Sequence, residues 1–372
     1  MPDAGGVDVR IAHDGKAVTG VEVKSSRPQA YRVLAGRPAE DAVRMIPLLY
    51  SVCGKAQRAA AGAAVAAARG EEPAQIGTLE RAVWCEALQE HLWRLLLDWP
   101  QQLGLPQRQQ LFVRWHNALA AIAAGQGDAQ KLLAELERNL LGMTVAEWQQ
   151  IDSYAALGER LNRGNGFLAP VIAALAREED SLEFVAAPAL CALMPHWSAR
   201  EVCQLHADRF DPEFAAVPQH DGKPMETGAL AYWQHTPLLQ EVLRQRPARL
   251  QARLLARMTD LLDGAVTLAS GALAKGEPQG RIQGIAAGDG RGLAVVQTAR
   301  GMLVHYVRLD TDRVAEYLTV APTEWNFHPQ GALASGLAGL RECDAERLQA
   351  TVRNYVLSLD PCVEYRIEVA HA

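Results

Sequence analysis

The sequence has no Cys-x-x-Cys pair. Its six cysteines, at positions 53, 85, 191, 203, 343 and 362, are scattered. That spacing argues against a zinc ribbon, a thioredoxin-type redox pair and a dense disulfide framework. In a reducing compartment such residues are free thiols or ligands. There is no basic excess either. Lys and Arg total 37 against 43 Asp and Glu, a net charge of −6 at pH 7. A nucleic-acid partner is therefore not expected, and no block of like charge suggests a tail. The longest apolar stretch, Ala59–Ala68, is alanine-rich and too short to span a bilayer. The Met-Pro-Asp-Ala-Gly-Gly start has neither a basic n-region nor an apolar h-region. No membrane insertion and no signal peptide are expected, and the cytoplasm is the expected location. Internal repeats and low-complexity segments are also lacking.

What is present is ample core material: 372 residues, 49% of them hydrophobic, enough for one or two packed cores. Residues 7–24 alternate apolar and polar around His13-Asp14-Gly15-Lys16, which predicts a β-hairpin. The pattern then turns helical. Asp41 is a candidate cap, with Pro47 in the first turns or at a kink. Residues 54–69, nearly all small, predict a core helix. Helical periodicity marks 78–99, 107–124 and 128–140, punctuated by Gly104, Gly125-Gln126-Gly127 and Gly142. Thr144…Glu147 and Ser198…Glu201 fit capping boxes. Residues 207–236 read as a long loop region, and 237–275 as two or three helices. Over 281–320 the period becomes two, with turns at Asp289-Gly290, Arg300-Gly301 and Asp310-Thr311-Asp312, which predicts an antiparallel meander. A helix follows from about Asp344 to Ser358, then a turn and an extended tail. The expected class is α+β, mainly α, with small antiparallel sheets near both ends.

Four segments carry more than periodicity. They are LAGRPAEDAVRMIPLLYSVCGKAQ (34–57), GKPMETGALA (222–231), TARGMLVHYVRLDTDRVAEYLTVAPTEWN (298–326) and LSLDPCVEYRIE (357–368). In this order they resemble the large subunit of nickel–iron (NiFe) hydrogenases. The corresponding patterns there are Leu-x-Gly-Arg with Cys-Gly-x-Cys-x-x-x-His, Met-Glu-x-Gly-Pro-Leu-Ala, Ala-Pro-Arg-Gly-x-Leu with Val-Pro-Thr-x-Trp-Asn, and Asp-Pro-Cys-x-x-Cys-x-x-His. The resemblance implies a hydrogenase large-subunit-like fold over 1–372 as one domain, with a central helical bundle. The departures are as telling. Tyr50 stands for the first cysteine of the first motif and Gln57 for its His. Tyr365 stands for the second cysteine of the last motif and Glu368 for its His. The proton-relaying Glu of the enzymes falls near Tyr31. Two thiolates cannot rebuild a four-thiolate bimetallic site, and nickel loses half its soft ligands. Neither a hydrogen-cleaving enzyme nor bound nickel is expected.

Degenerate cysteine motifs on this framework are similar to the HupK/HoxV-type accessory family of hydrogenase maturation, whose members lack the cleaved C-terminal peptide. This chain, ending four residues after Glu368, is expected to match. The resemblance implies a scaffold that transiently carries an Fe(CN)2CO unit from Hyp-type maturation proteins, a HypC/HypD-like donor, to the hydrogenase apo large subunit. On that basis Cys53 and Cys362 are the expected iron ligands, since low-spin iron with carbon monoxide and cyanide takes soft anionic donors. Arg300 and Thr323 are the expected cofactor-binding residues, hydrogen-bond donors to cyanide. The plainer alternatives are two buried cysteines, a surface arginine in a turn and a strand hydroxyl. Glu226 reads as structural, and Cys203-x-x-His206 as core. The competing functional reading is a maturation chaperone that binds partner proteins without carrying iron.

Overall fold

The alanine-rich stretch forms a 16-residue helix, Gly54–Arg69, entered at Cys53 and closed by Gly70 in the left-handed conformation. A computed structural model gives this arrangement and describes residues 5–26, 31–50, 52–206, 210–273 and 280–371. The helix lies on a four-stranded antiparallel meander of Ile282–Ala286, Arg291–Thr298, Gly301–Asp310 and Arg313–Val320, in sequence order. An added Cβ at Gly292 would sit 2.0 Å from the Ala64 carbonyl oxygen. Small residues on both sides therefore allow a backbone approach that larger ones would block. Ala294, Val296, Leu303, Val307 and Tyr317 pack with this helix and with Leu34, Ala39 and Ile46. Their neighbours Leu293, Val295, Met302, Val304 and Leu318 pack with Trp197, Met225 and Trp325. The period-two pattern thus buries both faces of the meander.

The helical body is organised around Leu250–Ser270, whose buried residues include Arg253, Arg257 and Asp260. It packs on Ile76–Trp93, Leu168–Asp180, Pro237–Gln245 and Ala345–Leu359. The Ile76–Trp93 helix runs into one π-helical stretch, Arg94–Asp98, and then Trp99–Gln102. Both capping boxes are present. The Thr144 hydroxyl accepts from Glu147 N–H while Glu147 accepts from Thr144 N–H, and Ser198 and Glu201 repeat the exchange. Among the described residues no helix is long and apolar enough to cross a membrane.

Four details differ from the sequence-based expectation. The sheet holding the N-terminal hairpin is mixed. The tail forms a strand, Glu364–His371, that pairs in parallel with Gly6–His13, Val9 standing opposite Ile367. Local pattern shows an extended tail but not its distant partner. Asp41 does not cap its helix; Pro38 takes that place, and Asp41 sits in the first turn while Pro47 falls near the helix end, Leu49. The stretch expected as loop contains Pro212–Ala216, where the Asp211 carboxylate accepts from Phe214 N–H at 2.8 Å, and Ala229–Trp233. Thr323, expected on a strand, opens the short helix Pro322–Asn326, with proline in the first turn and Glu324 accepting from Ala321 N–H at 3.1 Å.

Candidate metal centre

The two motif cysteines, separated by nearly the whole chain, come together by different routes. Cys53 is the residue before the first turn of the alanine-rich helix. Cys362 lies two residues beyond Asp360, which ends the Ala345–Leu359 helix in a left-handed conformation, φ 55°. Both are free thiols and partly buried. Burial, and then the charge of Cys362, push the Cys53 thiol up to about 12, while Gln57 and Arg300 pull it down. The two sulfurs are therefore in electrostatic reach of each other, and Cys53 without metal carries its proton.

Each sulfur has a neutral partner. Gln57 Nε2, one helical turn on, donates to Cys53 Sγ at 3.5 Å. The Thr323 hydroxyl lies 3.1 Å from Cys362 Sγ and accepts from Cys362 N–H at 3.4 Å, which leaves its own hydrogen to donate to the sulfur. Thr323 is thus turned toward a cysteine.

Arg300 sits in the turn between the second and third meander strands and is only 5% exposed, so it is not a surface arginine. Its Nε donates to the Asp360 carbonyl at 3.1 Å and its Nη2 to Glu90 at 2.7 Å. Burial disfavours its charge, but Asp360, Glu90 and both cysteines outweigh that and raise its pKa. Among the described residues no hydrogen bond engages Nη1. Backbone packing seats this turn. An added Cβ at Gly301 (φ 125°) would lie 2.6 Å from Gly228 N and from Thr227 Oγ1. Thr227 Oγ1 in turn accepts from Met302 N–H, and Asn326 holds Thr227 N–H. The second segment therefore supports the Arg300 turn. Its Glu226 is buried and paired with Arg249 and Arg253, a structural role.

Sequence reasoning missed the charged frame. Asp360 is buried and meets Arg94 at 2.7 Å, Arg257 at 3.0 Å and Arg300 at 3.3 Å. Burial would raise its pKa; the three guanidiniums hold it well below the usual carboxylate range. Glu86 accepts from Lys55 N–H and Ala56 N–H, both at 2.8 Å, at the start of the helix that carries Cys53. Burial still pushes its carboxyl up to about 7. The signal available was the spacing of Glu86, Glu90, Arg94 and Asp98, four residues apart on one helical face. Beside Cys362 opens a cleft of about 830 Å³, lined by Val52, Trp93, Arg94, Arg300, Asp360 and Tyr365 among others.

The residues at the two lost cysteine positions diverge. Tyr50 packs on the cluster under the meander. Tyr365, 41% exposed, is on the tail strand and lines the cleft. The Tyr31 side chain and Ser51 lie outside the described residues. Among the described residues no group of three or more His, Cys, Asp or Glu side chains could hold a metal ion. Cys203 and His206 lie on the helix Ala199–His206, with His206 buried among Trp197, Phe214 and Trp325.

The fold and the family profile define a class: proteins built like the large subunit of nickel-dependent hydrogenases. A family profile described as nickel-dependent hydrogenase matches residues 244–365. The structure of the Ni-Fe-Se hydrogenase from D. vulgaris Hildenborough in the reduced state superposes with a TM-score of 0.61 at 16% identity, covering 95% of this chain and 94% of that one, which shows the shared fold. Within that class the sequence is 32% identical to the hydrogenase expression/formation protein HoxV of Cupriavidus necator, over 94% of this chain and 93% of that one. It is 31% identical to HupK of Azotobacter vinelandii, over 99% and 100%. The chain belongs to the HoxV/HupK family of hydrogenase expression/formation proteins.

Proposed function

We propose that this protein is a non-catalytic scaffold of NiFe-hydrogenase maturation that holds an Fe(CN)2CO precursor through Cys53 and Cys362 and passes it to the apo large subunit. One observation supports this reading: two free thiols, far apart in sequence, lie in electrostatic reach of each other and of a buried arginine. Iron binding displaces the Cys53 proton. Gln57 and Thr323 then offset the charge on the two sulfurs, and Arg300 Nη1 offers its N–H donors to a cyanide nitrogen. Two thiolates suffice for one iron but not for a nickel–iron pair, so turnover of hydrogen is not part of this function. The donor is a HypC/HypD-like maturation protein.

A second reading, a chaperone that grips maturation partners without iron, is favoured by the apolar side chains on the cleft. Val52, Trp93 and Tyr365 are each more than 40% exposed. Infrared spectra of protein isolated anaerobically from cells that express the maturation genes separate the two. The carrier gives carbonyl and cyanide stretching bands in stoichiometric amount with iron. Protein that binds its partners yet shows no such bands is the chaperone.

A further inference from the structure

Behind Cys53 a line of hydrogen bonds runs from Gln57 to two buried side chains, His305 and Tyr317, to which the metal site assigns no task. Gln57 Nε2 lies 3.5 Å from Cys53 Sγ. Gln57 Oε1 lies 2.8 Å from His305 Nε2, and His305 Nδ1 lies 2.6 Å from the Tyr317 hydroxyl. Gln57 and His305 are fully buried and Tyr317 nearly so. His305 and Tyr317 come from neighbouring meander strands, Gly301–Asp310 and Arg313–Val320.

Such a line can run in two directions. In one, Tyr317 donates to Nδ1, Nε2–H donates to Gln57 Oε1, and the amide presents N–H to sulfur. In the other, the imidazole donates to Tyr317 and accepts from the amide, whose carbonyl then faces Cys53. Burial drives the imidazole pKa down to about 3, so the ring is neutral and has one N–H for its two neighbours. The Tyr317 ring belongs to an apolar cluster, and a hydroxyl that donates to the nitrogen beside it leaves the imidazole's N–H for Gln57. The amide as placed, with Nε2 toward Cys53 Sγ and Oε1 toward His305, is that of the first direction. This direction is also the one a metal-bound thiolate needs, because such a sulfur accepts hydrogen bonds and cannot donate.

We propose that His305 is a positioning residue for Cys53, anchored by Tyr317 and holding the Gln57 amide with its N–H toward the sulfur. The proposal rests on Cys53 being a metal ligand and specifies how its sulfur is prepared. An amide N–H steadies negative charge on sulfur but has no acidic proton to return to it. Partners one layer behind a ligand commonly fix its orientation in this way.

The test uses the S–H stretching band of Cys53 in full-length, metal-free protein, assigned by subtracting the Cys53→Ser spectrum. In the wild type this band should be narrow and high, as for a thiol that does not donate to Gln57. In His305→Phe the amide is free to turn its carbonyl to the thiol, and the band should fall and broaden. His305→Gln, which returns a donor near the Nε2 position, should restore the wild-type band. Tyr317→Phe keeps the volume and removes only the anchor; it should give two bands. It decides the matter if His305→Phe fails to fold. A Cys53 band unchanged in both His305→Phe and Tyr317→Phe overturns the proposal, as does a low, broad band already present in the wild type. Because no iron is needed, absent carbonyl bands in cell-derived protein would remove the carrier function without touching this result.

Discussion

The two halves of the site are built by opposite means. Around Cys53 the chain uses shape: an alanine helix pressed on glycine-bearing strands, an apolar cluster, and a neutral line of Gln57, His305 and Tyr317. Around Cys362 it uses charge: one buried aspartate gathers three arginines, beside an open cleft and an outer strand. The Cys53 half depends on close packing, which tolerates little change of volume. The Cys362 half depends on pairing, so removing one partner strands the others. On the proposed carrier reading, retention and release of cargo gain from one sulfur set in close packing and one that lines a cleft.

The largest effect should come from breaking the charged half. Asp360→Ala leaves Arg94, Arg257 and Arg300 without their shared carboxylate and puts alanine at a left-handed φ. We expect a loss of about 3–5 kcal/mol, read from denaturant melts. A loss of less than about 1 kcal/mol would mean the arginines are solvated and the contrast between the halves is false.

The next effect probes Glu86, which caps the start of the Cys53 helix. Burial raises the Glu86 carboxyl to about 7 in the folded protein, against an unfolded value near 4.5. The folded state therefore holds more protons between these values. The stabilisation is complete below about pH 4.5 and is lost as pH rises through 7. Relative to Glu86→Gln, the wild type should lose stability across that window in pH-dependent melts. A wild type that instead gains stability would show that the two backbone N–H donors outweigh burial.

A smaller effect is expected from Arg300→Lys, which keeps the charge beside Asp360 but loses the planar donor fork. Cargo should stay bound through thiolate, with the cyanide stretching frequencies shifted and the carbonyl band still present. Unchanged cyanide bands in a folded variant would show that Arg300 serves the Asp360 cluster alone.

Much of this was legible in sequence because the relevant signals are local. Capping boxes, the period-two run of 281–320 and the alanine helix each announce themselves within a few residues. The four motif segments went further and pointed to Cys53, Cys362, Arg300 and Thr323, which the fold brings into one place. What stayed hidden is non-local. Nothing near Glu364–His371 says that the tail will lie parallel to Gly6–His13. Nothing near Asp360 says that it will meet Arg94 and Arg257. His305 reads as one polar residue in a strand until Gln57 arrives from a helix about 250 positions earlier. The placement of Thr323 on a helix was missed for a different reason: Pro322 and Glu324 are a start signal only once Ala321 is known to leave the strand.

The central claim is that both sulfurs hold one cargo, and the most direct measurement is the infrared spectrum of Cys53→Ser and of Cys362→Ser, each isolated anaerobically from cells that load the wild type. Serine is close in size but a poor soft donor, so stability should change by only about 1 kcal/mol. The account predicts that carbonyl and cyanide bands are lost or sharply reduced in each single variant. Full bands in both folded variants would contradict it.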